Sequence, residues 1–373
     1  MEPSPNKIRL FLCGDVMTGR GIDQVFPHPS DPRLYEPYIR NAKIYVKLAE
    51  QLNGPISQPV VFSYIWGEAL AEFERVKPDA RVINLETAIT ASNDYWRDKD
   101  IHYRMHPANI HCLTAAGIDC CVLANNHVLD WGYQGLADTL DILAETSLKT
   151  AGAGRHRQEA EAPAILDLSR EARVLIFGSG CGSSGIPSEW AAADDTPGVN
   201  RLPDLSSGTL RRLAENISRI KQARDIVLAS IHWGSNWGYA IPEAQRRFAH
   251  ALIDEAGVDI VHGHSSHHPK AVEVYRDKLI LYGCGDFIND YEGIEGYESF
   301  RGDLALMYFP TLNAADGKLL NLEMIPLQMK RFRLNRPSAE DFRWIRDQLD
   351  RESSQFGGAV EMLDSHRLVL RWR

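Results

Sequence analysis

The sequence predicts an α/β fold that carries its chemistry at the ends of parallel strands. Short apolar, β-branched runs alternate with stretches whose apolar positions recur at three and four. Each apolar run passes directly into a cluster of polar residues. In open α/β sheets, ligands sit beyond the carboxyl ends of the strands, so these clusters are expected to converge.

In chain order the strand candidates are "KIRLFLCGD", "ARVINLET", "IDCCVLANN", "RVLIFGSG", "DIVLASIHWG" and "GVDIVHGHSS". The helical stretches among them include "YQGLADTLDILAE", "TLRRLAENISRIKQA" and "PEAQRRFAHALIDEAG". Three further strand-like runs, "DKLILYGCGDFIND", "GDLALMYFPTL" and "LLNLEMIPLQMKRFRL", lie close enough in sequence to predict a largely antiparallel second sheet. "SAEDFRWIRDQLDRESSQFG" opens on a capping serine, has Asp at the third helical position and ends at glycine, which predicts a surface helix in a C-terminal helix-strand extension at about 335–373. Between the first two strands lies an insert at about 24–78, rich in Tyr35, Tyr38, Tyr45, Phe62, Tyr64 and Trp66. Inserts of that length are usually lids or binding elements. Residues 1–373 are read as a single domain with these two additions.

The 373 residues are 44% hydrophobic and 24% charged, the composition of a soluble globular protein. A net charge of -9 argues against a nucleic-acid partner, which needs a basic face. No apolar stretch approaches the roughly 18 residues of a membrane helix. The N-terminal apolar run ends at Asp15, too early for a secretory leader, so the expectation is a cytoplasmic protein without a membrane anchor. The six cysteines contain no Cys-x-x-Cys pair and read as buried free thiols.

The strand ends offer, in order, Asp15, Glu86, Asn125-Asn126-His127, His232, the run "HGHSSHH" and Asp286. Carboxylates, a carboxamide and imidazoles form a mixed nitrogen and oxygen donor set, suited to a centre of two divalent ions with one bridging carboxylate. Arg20, Arg104 and Arg301 are candidates to pair a substrate carboxylate. Trp233 and Trp237, beside His232, are candidates to hold an apolar peptide group, with Asp286 also on the substrate side.

The segments "GDVMTGR", "NLET", "ANNHVLDWG", "HWG" and the "GH…H" run resemble the signature series of the poly-γ-glutamate capsule-synthesis (CapA) family, a branch of the calcineurin-like metallophosphatase superfamily. The resemblance runs from about residue 8 to residue 290. It implies a four-layer α/β/β/α sandwich of metallophosphatase type with two metals at the strand ends. Carried across residue by residue, Asp15 would bind one metal, Glu86 would bridge, and Asn126, His232 and His264 would hold the other. His127 would be an acid or base oriented by Asp130. Two positions depart from the pattern. Metallophosphatases usually begin with Asp-x-His, and here Asp15-Val16-Met17 lacks that imidazole, which leaves one or two divalent ions, Mn, Zn, Fe, Ca or Mg, as the expected cofactor. Family members usually read Gly-x-His-Pro-His where this chain reads Gly263-His264-Ser265-Ser266-His267-His268. His264 and then His267 are the expected ligands, His262 is expected to be structural, and His268 is the candidate for chemistry.

Metal ions can activate water for hydrolysis of an amide or phosphoester, or polarise a carbonyl so that the neighbouring carbon loses a proton. Lasso-peptide epimerases are similar to this family, and Asp15 with an unligated histidine of residues 264–268 could serve the two faces of a Cα. The expectation is therefore a metal-dependent enzyme acting on a peptide by Cα epimerisation. The alternatives are hydrolysis of a poly-γ-glutamate-like amide or a phosphoester, and a non-catalytic polymer-binding protein.

Overall fold

The computed structural model describes residues 7–168 and 172–372. Two large sheets face each other, and helices cover the outer side of each. This is the four-layer α/β/β/α arrangement that the resemblance implies. In the first sheet the parallel strands Lys7–Val16, Ala80–Leu85, Cys120–Val122 and Lys149–Ala151 lie side by side. In the second, Ala172–Cys181, Ile226–His232, Ile260–His264 and Lys278–Leu281 do the same.

Strand alternation explains the layers, because a strand buried on both faces sends successive side chains into different cores. Ile8, Leu10 and Leu12 point between the sheets, whereas Phe11 and Cys13 point to the outer helices. In the second sheet, Val174, Ile176, Ile226, Leu228 and Ile260 fill the same middle layer, while Leu175, Phe177, Val227, Ala229 and Val261 pack beneath Ser207–Ile220 and Glu243–Ala256.

The expected antiparallel second sheet does not form as a separate unit. Leu304–Asn313 pairs antiparallel with the first strand, and Leu319–Met329 extends the same sheet. Lys278–Leu281 joins the other sheet. The reason lies in their side chains: Leu304, Leu306 and Tyr308 enter the middle core, while Ala305, Met307 and Phe309 enter the outer one. Such strands need cover on both faces. The helix Ala339–Ser354 starts at Ser338, whose Oγ accepts from the backbone N–H of Asp341 at 3.1 Å. It is more than a surface helix, since Phe342, Ile345 and Leu349 close the middle core.

The aromatic insert is mostly structural. Tyr45, Ile65 and Trp66 are buried in the outer core, and Trp66 donates its Nε1–H to the carbonyl of Cys112 at 2.7 Å. Tyr64 donates its hydroxyl to Arg331 O, and Tyr38 is 96% exposed. All six cysteines are buried free thiols. Among the described residues, no helix is long and apolar enough to cross a membrane.

One irregularity positions the site. Leu12 pairs with Val82, but Asp15 pairs with Asn84, so the first strand gains one residue over its neighbour. Such a bulge reverses the alternation beyond it. Asp15, which strict alternation would send outward, turns into the gap between the sheets. A close backbone contact accompanies the shift: a Cβ on Gly14 would lie 1.6 Å from the carbonyl oxygen of Gly285. Gly14→Ala is therefore expected to destabilise the protein by about 3 kcal/mol, at the upper end for overpacking, read as a lowered urea midpoint at unchanged slope.

Candidate metal centre

The middle layer is apolar along most of its length and turns polar at the carboxyl ends of the strands. On Ile226–His232, Ile226 and Leu228 give way to Ser230 and His232 on the same face. On Ile260–His264, Ile260 gives way to His262 and His264. His232 and His264 are paired in register on adjacent parallel strands. Asp15 arrives from the other sheet, and its Oδ1 lies 3.9 Å from His232 Nδ1 and 3.7 Å from His264 Nδ1. The two Nδ1 atoms are 2.8 Å apart. Among the described residues, Asp15, His232 and His264 form a compact, fully buried set of potential metal donors.

The surroundings fix these groups. Asn84 Nδ2 donates to Asp15 Oδ1 at 2.7 Å, and the backbone N–H of Ser265 donates to Asp15 Oδ2 at 3.2 Å. Ser230 Oγ stands between His262 Nδ1, at 3.0 Å, and His264 Nε2, at 2.9 Å. His262 Nε2 donates to the carbonyl of Cys13 at 2.7 Å, the structural role expected of it. Asn126 Oδ1 lies 2.9 Å from His232 Nε2, with Glu86 Oε1 at 4.0 Å on the same side. His232 thus lies between two groups of donors: Asp15 with His264, and Asn126 with Glu86.

The electrostatics suit a cation. Burial and repulsion from Asp286 hold Asp15 well above the usual carboxylate range, and burial with repulsion from Asp15 does the same to Glu86. Among the described residues, the ion-pair partners of these two carboxylates are all histidines. Burial holds those histidines, His127, His232 and His264, far toward the neutral form. Neutral imidazole is the form that binds metal, and the positive charges that reach the two carboxylates, Lys99 for Glu86 and His267 for Asp15, do not offset their burial.

His127 stands at the edge of this centre with its Nε2 3.7 Å from Glu86 Oε1. Its Nδ1 is 2.6 Å from Asp130 Oδ2. Sequence reasoning missed what completes the pair. Lys99 binds Asp130 and the carbonyl of Asn126, with its Nζ 3.2 Å from His127 Nδ1. Tyr103 stacks on the His127 ring at 3.9 Å and gives its backbone N–H to Asp130 Oδ2. Both come from irregular chain around "RDKDIHY", where no periodicity marks them. Asn84 did leave a signal, as a lone carboxamide within the apolar strand Ala80–Leu85.

The histidines after His264 divide differently from the expectation. Ser265 has φ of 101°, left-handed backbone that sends the following residues away from the strand direction. His267 lines the central cavity and pairs with Asp286 Oδ1 at 2.9 Å. Burial alone would lower its pKa, but the charge and hydrogen bond of Asp286 carry it upward. His268, the expected catalytic group, is turned into an aromatic sleeve, with Phe300 at 4.8 Å and Tyr239 at 4.4 Å between ring centres.

Four of the expected substrate contacts are committed to partners within the chain. Arg20 reaches the cavity, but its guanidinium is held by Asp290 and Glu36. Arg104 donates to Ser92 O, Asn93 Oδ1 and Asp31 O, and Arg301 is paired with Asp303 and Asp341. A guanidinium without water around it needs such partners within the chain. Trp233 is buried, donating to Tyr282 O at 3.0 Å, whereas Trp237 lines an accessible cavity.

Residues 9–291 match the family described as bacterial capsule synthesis protein PGA_cap. The chain belongs to that family. Two proteins of Mycobacterium tuberculosis, from strains CDC 1551 and H37Rv, each named probable polyglutamine synthesis accessory protein, are 47% identical to it over 358 residues, 96% of this chain and 94% of theirs. The PGA biosynthesis protein CapA of Bacillus subtilis is 30% identical over 231 residues, 60% of this chain and 56% of that protein. A crystal structure described as a novel phosphatase, from Mycoplasma pneumoniae, aligns at 12% identity with a TM-score of 0.47, covering 88% of this chain and 96% of that one.

Manganese or zinc at 100 times its dissociation constant should stabilise the protein by about 2.7 kcal/mol in thermal unfolding. Asp15→Asn, which removes a buried negative charge, should raise the metal-free melting temperature and abolish most of the metal-induced rise. An unchanged metal response in that variant would place the ion elsewhere.

Proposed function

We propose that this protein is a metal-dependent enzyme that acts on a peptide-like chain and uses His127 as its general acid and base. The carrying observation is the pair of buried carboxylates, Asp15 and Glu86, whose ion-pair partners among the described residues are the buried His127, His232 and His264, with His127 held by Asp130 beside them. Asp15, His232 and His264 would hold a divalent ion, with Glu86 and Asn126 available to a second. When bound, such ions polarise a carbonyl and lower the pKa of water.

His127 donates its Nδ1–H to Asp130, which leaves the Nε2 lone pair on the side of Glu86 and the cavity. That atom can take a proton from the attacking water and return it to the leaving amine. Lys99 opposes the upward push that burial gives the Asp130 carboxyl and so favours this tautomer, and the stacked Tyr103 fixes the ring plane. The cavity, of about 440 Å³, opens to Lys99, His127, His232 and His267. One general acid and base in place suits hydrolysis of an amide, so the leading reading moves from epimerisation to amide-bond cleavage. The relatives' names bring chains of glutamate or glutamine into the candidate set. Cα epimerisation is the second reading, favoured by His267, an imidazole of opposite protonation tendency on the same cavity.

Metal-loaded protein incubated in deuterated water with oligo-γ-glutamate and oligo-α-glutamine distinguishes them. Chain shortening supports hydrolysis, a one-unit mass gain without cleavage supports epimerisation, and turnover that survives chelator overturns the metal reading. On the active substrate, His127→Ala is expected to lower turnover by about 10²–10⁴-fold. Asp130→Asn is expected to cost about 10–100-fold.

A further inference from the structure

A second cavity, of about 480 Å³, opens beside the metal centre and shares His267, Tyr291 and Ile294 with the first. An extended chain advances about 3.3–3.6 Å per residue, and the shared lining makes this groove the adjoining space for the neighbours of a peptide residue held at the centre. The groove is apolar where it faces solvent. Trp237 lies flat on Tyr297, with ring centres 4.2 Å apart and planes 2° apart. Leu52, Ile294 and Tyr297, which are 63%, 44% and 50% exposed, meet in this one place. Exposed apolar side chains gathered on one surface mark a binding site.

The charged groups in its walls are already committed. Glu292 accepts from the backbone N–H groups of Arg331 and Phe332 and from Asn53. Asp303 is held by Arg301 and Gln328, and Arg301 by Asp303 and Asp341. Lys330 remains, and Glu298, which accepts from the backbone N–H of Gly296, adds a negative charge to the same lining. A chain with a carboxylate on every residue needs repeated cations, which this groove does not offer.

We propose that this groove holds the uncharged apolar or aromatic side chain of the residue next to the one at the metal centre, so that the substrate is a neutral peptide rather than a polyanion. This rests on the peptide reading of the centre. It narrows the substrate class, placing a chain with an apolar or aromatic residue at that position ahead of a free-acid glutamate polymer.

Binding is measured on the full, manganese-loaded chain by titration calorimetry. The probes are N-acetylated, C-amidated alanine hexapeptides carrying one phenylalanine, glutamine or glutamate at each scanned position, and oligo-γ-glutamate of equal length. At its best position the phenylalanine peptide is expected to bind about tenfold or more tighter than its glutamate counterpart and than oligo-γ-glutamate. Ile294→Asp and Tyr297→Ala, both at exposed positions, should each remove about tenfold or more of that affinity while a manganese titration stays unchanged. Equal or tighter binding of the glutamate probes, or full phenylalanine affinity in both variants, overturns the groove. A phenylalanine preference without turnover of any peptide supports the groove and refutes only the catalytic reading.

Discussion

The contact between Gly14 and Gly285 is the constraint on which the site depends. Two backbones meet there with no side chain between them, and the first strand takes up one extra residue beside the contact. That residue is the difference between an Asp15 that faces the outer helices and one that faces the opposite sheet. Once turned inward, Asp15 meets Asn84 from its own sheet, Ser265 N–H from the other, and the histidines at the ends of two parallel strands. The polar end of the middle layer is built by this turn. The apolar remainder of the layer supplies the rigidity that keeps buried carboxylates close together.

A second device ties the insert to the same place. Arg20 is buried between Glu36 of the insert and Asp290, which follows the strand Asp286–Ile288, and it lies over the Tyr45 ring at 3.7 Å. Breaking such a buried pair typically costs about 3–5 kcal/mol, because the partner left behind keeps its charge. The insert therefore behaves as a wall of the cavity. Tyr45 and Trp66 pack into the outer core, and Tyr35 stacks at 3.6 Å on Tyr95, which lies beyond the insert.

How far the site was legible follows from strand parity. His232 and His264 could be read because they continue an inward-facing alternation that the apolar residues before them establish, Ile226 and Leu228 in one strand and Ile260 in the other. Asp15 was readable as a strand-end carboxylate, although its inward orientation needs a bulge that no pattern announces. Lys99 and Tyr103 were invisible, since they act from irregular chain through contacts distant in sequence. Arg20, Arg104 and Arg301 were read as free cations because a sequence does not reveal which carboxylates and carbonyls will surround a buried guanidinium. The choice between His267 and His268 turned on the backbone at Ser265, whose left-handed conformation is uncommon for serine. The antiparallel strands were assigned to their own sheet because proximity in sequence outweighed their apolar character on both faces.

The row from Cys13 through His262 and Ser230 to His264 also has a direction. A carbonyl can only accept, so His262 must carry its proton on Nε2, and its neutral ring then offers a lone pair at Nδ1. Ser230 has one hydroxyl proton and gives it to that lone pair, so its oxygen accepts from His264 Nε2–H. His264 is left with its lone pair on Nδ1, facing Asp15. From the other end, the Asn126 carbonyl accepts from His232 Nε2–H and leaves the lone pair of His232 on Nδ1 as well. Two electron pairs and a carboxylate oxygen thus point at one another, an arrangement that a divalent cation satisfies. The order of protons that prepares the ligand begins at a main-chain carbonyl of the opposite sheet.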